Sequence, residues 1–303
     1  MARILVTGLN PAWQKILEFE ALAPGQVNRA LALHEFGSGK GLNAALILRC
    51  LGHEVSLLQI AGGINGRRHE QYCREVGVTP LCVQVAAETR VCSTLVDRAS
   101  GQATELIEPF AVLPEERVVE RLLDLVGPPA PDALLMSGTA PAGVDLGVYL
   151  RIAQKAASPL VVLDVIREVT ADLLAVVDFV KINAAEYRQL ESRGLACCEP
   201  SVKTPVFFIT DGPRPARMIR RLDASVQVKS FRLPSLTDLV NPIGAGDTVA
   251  GYLMHALLAR QTPENAFREA LAAGSASCLK LHPGDYDEAV REKIAEGIVV
   301  EPR

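Results

Sequence analysis

Residues 241–259, NPIGAGDTVAGYLMHALLA, join a glycine loop to a helix. Gly244 and Gly246 stand one residue apart and Asp247 follows at once. Beyond them Ala250, Leu253, Met254, Leu257 and Leu258 recur with the period of one helical face. The first turn of a helix carries partial positive charge and leaves backbone N–H groups unpaired, and glycines let a ligand approach them, so phosphate can be held here. Asp247 has two readings. It is a helix cap, or it is a proton acceptor beside a bound phosphoryl group, which a carboxylate would otherwise only repel.

Short apolar runs alternate with helical periods along most of the chain, which predicts an α/β fold with a mostly parallel central sheet. Strands are predicted at 3–7, 54–63, 133–138, 160–164, 178–183 and 205–210, a glycine loop feeding a helix at 37–52, and helices at 66–76, 114–126, 144–156, 184–191 and 263–281. Two regions break the rhythm. Residues 12–36 alternate on both sides of Pro24-Gly25, and residues 89–108 form a hairpin pattern around Ala99-Ser100-Gly101, so the two are expected to pair as a separate small sheet. Two further β pieces, ARMIRRL at 216–222 and SVQVKSF at 225–231, precede the opening stretch. Without a repeat, a low-complexity segment or a Pro/Ser-rich linker, residues 1–303 are expected to form one domain.

With 303 residues, 49% of them hydrophobic, the chain can bury a large core. No apolar run is long enough to cross a membrane, and MARILVTG enters a strand pattern without a secretory signal, so a cytoplasmic location is expected. Seven cysteines, at 50, 73, 82, 92, 197, 198 and 278, include no Cys-x-x-Cys pair and read as reduced thiols. A net charge of −4 argues against a general nucleic-acid binder.

A second glycine loop, GSGKGLN at 37–43, also feeds a helix. It is not a Walker A loop, because Gly41 follows Lys40, and its third glycine is misplaced for the dinucleotide fingerprint. Five segments then coincide in order: LNPA (9–12), GSGKGLN (37–43), SGTAPAG (137–143), NAAE (183–186) and GAGDT (244–248). Together they resemble the PfkB family of sugar kinases, across nearly the whole chain. The resemblance implies a ribokinase-like three-layer sandwich with a small β-sheet lid formed by 12–36 and 89–108. LNPA, PGQVNRA (24–30) and TELIEP (104–109) look like the phosphosugar branch, which includes 1-phosphofructokinase and tagatose-6-phosphate kinase.

That resemblance assigns roles. Asp247 becomes the base that takes the proton of a sugar hydroxyl, and the amides of Gly244, Ala245 and Gly246 become an anion hole. Asn183 and Glu186 match Asn-x-x-Glu, which places Mg2+ through water; on spacing alone they equally form a capping box. Gln14, Ser38, Gly39, Lys40, Asn43, Ser137 and Gly138 are expected at the sugar, with Arg29 and Arg90 on its phosphate. Thr210, Asp211, Gly212, Gly274 and Ser275 are expected at ATP, although small residues near 274 equally serve close helix packing. The implied reaction moves the γ-phosphate of Mg-ATP to a hydroxyl of a phosphorylated ketohexose of the fructose 1-phosphate, fructose 6-phosphate or tagatose 6-phosphate type. A homodimer through the lid sheet is expected.

Three positions depart from the pattern. Gln14 replaces the family's Asp, Ser38 replaces the first glycine before Lys-Gly, and Pro215 replaces the second glycine of the nucleotide turn. An amide donates as well as accepts, and proline removes an N–H. These changes keep two alternatives open: a kinase of an unphosphorylated sugar or nucleoside, and a non-catalytic protein that binds sugar phosphate or nucleotide.

Overall fold

The computed structural model describes residues 1–112, 117–197, 206–222, 225–237, 239–280, 282 and 284–302. In chain order they form β1 (Arg3–Thr7), β2 (Ala12–Phe19), β3 (Ala32–Ser38), α1 (Lys40–Cys50), β4 (Glu54–Gly62), α2 (Gly63–Glu75), β5 (Thr79–Val85), β6 (Val91–Asp97), β7 (Gln102–Ile107) and α3 (Val118–Leu125). Then follow β8 (Ala133–Ser137), α4 (Val148–Ala156), β9 (Val161–Asp164), the single turn α5 (Ala171–Leu174), β10 (Phe179–Asn183), α6 (Ala184–Ser192) and β11 (Val206–Thr210). The chain closes with β12 (Ala216–Leu222), β13 (Ser225–Arg232), α7 (Ala245–Leu258), α8 (Pro263–Ser277), α9 (Glu288–Gly297) and β14 (Val299–Pro302).

The large sheet has the order β14-β13-β12-β11-β10-β9-β8-β1-β4-β5. From β11 to β5 every neighbouring pair is parallel, and β12, β13 and β14 extend it antiparallel. Its central strands are short and buried on both faces, which is why they read as unbroken apolar runs. One face packs Leu122, Ile152, Leu173 and Leu190 of α3–α6; the other packs Leu42, Leu48, Ala250 and Met254 of α1 and α7. Three layers result.

The second sheet has the order β3-β2-β6-β7, with β2 and β6 parallel. Asp97 closes the β6–β7 turn by accepting from the amides of Ala99 and Ser100 at 3.0 and 3.2 Å. Helix α2 braces this sheet, since Arg68 lies 4.1 Å over the Trp13 ring and pairs with Glu35 at 3.6 Å.

Four elements escaped the sequence pattern: β5, α5, α9 and β14. Edge position explains two of them. β5 tolerates Pro80 because it ends the sheet, and β14 is a mostly exposed edge strand without alternation. Helix α4 starts at Val148 and not at 144, because Gly143 takes φ +88° and Asp145 accepts from the Gly147 amide at 2.7 Å, a turn that precedes the helix. Residues 114–116 of one expected helix, residue 205 of one expected strand, residue 281 of the last helix and Cys198 lie outside the described residues. The six described cysteines are free thiols.

The carboxyl ends of β1, β8, β9, β10 and β11 share one edge of the sheet, and α1 and α7 begin there. Open α/β sheets bind ligands at this edge. Gly39 enters α1 at φ +124°, a backbone state that favours glycine. Gly41 packs the first turn of α1 on β1 so closely that a Cβ would stand 2.4 Å from Gly8 Cα. The two loop glycines therefore seat the helix on the sheet, a tighter demand than the approach of a sugar.

Candidate active site

Helix α7 starts at Gly244, in the left-handed region at φ +81°, and no side chain caps it. Asp247 is thus not the cap. It is buried, and Oδ2 accepts from Asn43 Nδ2 of α1 at 2.8 Å, while Asn43 Oδ1 accepts from Ser38 Oγ at 3.4 Å. Burial pushes the Asp247 carboxyl up to about 6, against the pull of Lys40, Asn43 and Lys181. A carboxylate of this kind is poised to take a proton near neutral pH. The Ala245 amide makes only a 3.4 Å turn contact with Pro242 O, and the Gly246 amide has no partner among the described residues. Lys181 Nζ lies 3.2 Å from the point where a Gly246 Cβ would stand, so a cation underlies the glycine loop.

Below the loop lies a cluster of four charges. Asp164, at the end of β9, is bonded by Lys181 Nζ at 3.2 Å and paired with Lys40 Nζ at 3.5 Å. Lys40 Nζ also lies 3.9 Å from Glu186 Oε1. Burial pushes the Asp164 carboxyl up, but the two lysines outweigh it and hold it below the ordinary range. The Lys40 ammonium is raised well above the usual lysine value, chiefly by Asp164.

Two adjoining cavities, of about 280 and 380 Å³, share Ser38, Gly39, Lys40, Arg90 and Glu186 in their walls. Ser137 and Gly138 line the first; Gln14, Asn43, Gly244, Gly246 and Asp247 line the second. Arg90 donates to the carbonyls of Pro11 and Asn10 at 3.4 and 3.0 Å, which anchors its guanidinium at the wall. Arg29 stands apart. It is exposed in the β2–β3 connection and lines neither cavity.

Gln14 answers one departure from the family pattern. Its Nε2 donates to Thr94 Oγ1 at 2.9 Å and lies 3.4 Å from the Lys15 carbonyl, which can only accept. The amide oxygen is therefore the atom left for a ligand, so Gln14 offers an acceptor without charge. His69 supports the same wall. Burial pushes it down to about 4, so it is neutral near pH 7, and its Nε2 donates to the Ser38 carbonyl at 3.0 Å.

At the other end, Asn183 and Glu186 form the capping box of α6: Asn183 Oδ1 accepts from the amides of Ala185 and Glu186, and Glu186 Oε2 accepts from the Asn183 amide at 2.7 Å. The structural reading of the pair is realised, yet Glu186 Oε1 still faces the cavity through Lys40. Thr210 lines the second cavity. Asp211 pairs with Arg214 through two bonds of 2.9 and 2.7 Å and closes a turn with Gly212 at φ +58°. Pro215 follows that turn and directly precedes β12, so a second glycine is not needed there. Gly274 and Ser275 line neither cavity. A Cβ on Gly274 would meet Val249 Cγ2 at 2.5 Å and Ala245 O at 2.9 Å, so the tight packing of α8 on α7 accounts for this glycine.

A model of "pfkB family carbohydrate kinase" matches residues 6–288. The chain belongs to the pfkB family of carbohydrate kinases. It is 26% identical to 1-phosphofructokinase of Escherichia coli K12 over 295 residues, 94% of each chain. It is 25% identical to tagatose-6-phosphate kinase of Staphylococcus epidermidis over 311 residues, 98% of this chain and 99% of the relative. Among solved structures, phosphofructokinase-2 of E. coli superposes with a TM-score of 0.83 at 23% identity, covering 98% of this chain and 99% of that one. Ribokinase of Thermotoga maritima superposes with a TM-score of 0.71 at 17% identity, covering 98% and 100%. The fold is thus ribokinase-like, and the family makes the chain a phosphotransferase.

Sequence reasoning missed Asp164, Lys181 and His69. Lysine inside the apolar strand DFVKIN and aspartate at the very end of LVVLD were the available signals, since a charge is rarely buried unless paired. Among the described residues no group of three His, Cys, Asp or Glu side chains could enclose a metal, and no helix is long and apolar enough to cross a membrane.

The raised Asp247 carboxyl has a consequence for stability. Folding favours its protonated form, so the benefit is present at low pH and is lost as pH rises from the ordinary value of 3.8 to about 6. Above about pH 6 the ionised carboxylate costs about 3 kcal/mol. Asp247→Asn is expected to raise the urea midpoint near pH 7.5, with a smaller gain near pH 5. An equal effect at both pH values would contradict the shift.

Proposed function

We propose that the chain transfers the γ-phosphate of ATP to a hydroxyl of a phosphorylated ketohexose. The observation that carries this reading is Asp247: a buried acceptor, bonded by Asn43, at the start of a helix with a free amide at Gly246 and Lys181 beneath it. Asp247 takes the hydroxyl proton as the oxygen bonds to the γ-phosphorus, the bond from that phosphorus to the β–γ bridging oxygen breaks so that ADP leaves, and the negative charge on the transferring group meets the loop amides and Lys181. The acceptor's own phosphate is read by fixed cations, for which Arg90 and Lys40 in the shared wall are suited. The two curated relatives described above, named 1-phosphofructokinase and tagatose-6-phosphate kinase, support this acceptor class over a neutral sugar.

Magnesium fits the donor set in a limited way. Asn183 Oδ1 is spent on two amides and Asp164 on two lysines, which leaves Glu186 Oε1 as the oxygen to hold the ion through water. Bound there, it would neutralise charge on the nucleotide phosphates. The small sheet acts as a lid that keeps water from the transferring phosphate. The enzyme works in the cytoplasm.

With Mg-ATP the protein is expected to phosphorylate at least one of fructose 1-phosphate, fructose 6-phosphate and tagatose 6-phosphate. Asp247→Asn is expected to slow turnover by ~100- to 10,000-fold, and Arg90→Ala to raise KM for the sugar phosphate about tenfold or more while sparing KM for ATP. No turnover of all three, or an Asp247→Asn enzyme of nearly normal rate, would sink the proposal.

We also propose a homodimer through the lid. β7 is exposed along its whole length, and Leu33 and Leu106 leave apolar surface on this sheet, with Leu31 just before β3. Light scattering at micromolar concentration is expected to give twice the 32.5 kDa chain mass; a monomer mass would contradict it.

A further inference from the structure

One buried carboxylate has no part in the reaction above. Glu168 follows β9 and is 1% exposed, yet only one of its oxygens is bonded. Oε1 accepts from the Ala140 amide at 2.9 Å and from Arg167 Nε at 3.1 Å, while Oε2 has no partner among the described residues. Arg167 Nη2 in turn donates to the Ala140 carbonyl at 2.8 Å. Two adjacent side chains thus grip both polar backbone groups of one alanine. Stability alone is a poor reason to keep such a group, since a buried carboxylate with an idle oxygen is costly.

Ala140 belongs to the loop that leaves β8 and forms part of the first cavity's wall. The loop is pinned on both sides of the clamp. The Ser137 amide donates to Thr7 Oγ1 at 3.2 Å, the Gly138 amide to the Asp164 carbonyl at 3.1 Å, and Tyr149 Oη to the Gly138 carbonyl at 2.5 Å. Beyond the clamp, the Ala142 amide donates to the Phe110 carbonyl at 3.3 Å. Ser137 Oγ, which is buried, and the Thr139 amide have no partner among the described residues. Both residues line the cavity that Arg90 and Lys40 also line. The far side of the clamp is fixed as well, because Arg193 at the end of α6 donates to the carbonyls of Ile166 and Val169.

We infer that Glu168 and Arg167 are positioning residues for the phosphate of the acceptor sugar. By fixing Ala140 they hold the Ser137 hydroxyl and the Thr139 amide as ready donors beside Arg90, so the phosphate finds a site already oriented. The inference rests on the phosphosugar reading above. It assigns the pair no contact with substrate and no role at the nucleotide.

The test uses the full-length protein with the sugar phosphate it turns over best. Glu168→Ala is expected to raise KM for the sugar phosphate about tenfold or more, with KM for ATP and kcat within about threefold of the parent. Glu168→Gln keeps an acceptor for the Ala140 amide and is expected to recover most of the loss. Inorganic phosphate is expected to raise the melting temperature of the parent more than that of Glu168→Ala. If Glu168→Ala does not fold, Arg167→Ala, which removes a half-exposed side chain, carries the same test. An unchanged KM for the sugar phosphate overturns the inference, and so does an equal rise for both substrates. A parent enzyme that turns over no sugar phosphate overturns the phosphosugar reading and this inference together, whereas an active parent with unmoved variants overturns this inference alone.

Discussion

One carboxylate carries two ammonium groups at the centre of the molecule. Asp164 holds Lys181 from the neighbouring strand and Lys40 from the first turn of α1, all at the carboxyl edge of the parallel sheet. Remove it and the buried Lys181 loses its paired carboxylate, while Lys40, whose side chain is 44% exposed, keeps only Glu186 at 3.9 Å. Breaking a buried pair in this way typically costs about 3–5 kcal/mol, more than the pair itself contributes. The cluster also sets the field in which Asp247 ionises. Lys40 and Lys181 favour its charge and Asp164 opposes it, and burial outweighs the balance.

Two helix entries converge on this point. α1 brings Lys40 and Asn43, and α7 brings the glycine loop and Asp247. Their contact is close because Gly251 lies against α1, where a Cβ would stand 2.8 Å from the Ala44 carbonyl. The Asn43–Asp247 bond therefore depends on packing about one turn of α7 away from the chemistry. Small residues at 41, 251 and 274 act through backbone approach, and the ligand need not touch them.

Much of this was legible before any coordinates. The central strands are buried on both faces and so announce themselves as apolar runs, and both glycine loops stand at helix starts. Asp247 reads from its position as either a helix cap or a proton acceptor, and only the resemblance carried by GAGDT favours the second. What could not be read depends on register and on distant partners. Lys181 meets Asp164 only because β10 lies beside β9. The orientation of Gln14 is set by Thr94, eighty positions along the chain. Resemblance assigns Arg29 to the substrate phosphate, and in the structure it lies exposed in the β2–β3 connection. Edge strands such as β5, with a proline and no alternation, carry too little pattern to be seen.

The most direct test of the account is the pH dependence of kcat/KM for the sugar phosphate, measured for the parent enzyme and for Lys40→Met. Asp247 must be ionised to accept a proton, so activity should rise with pH through a midpoint near 6. Loss of the Lys40 charge should move that midpoint to higher pH, because Lys40 favours the ionised carboxylate. A midpoint near the ordinary aspartate value that Lys40→Met leaves in place would contradict it.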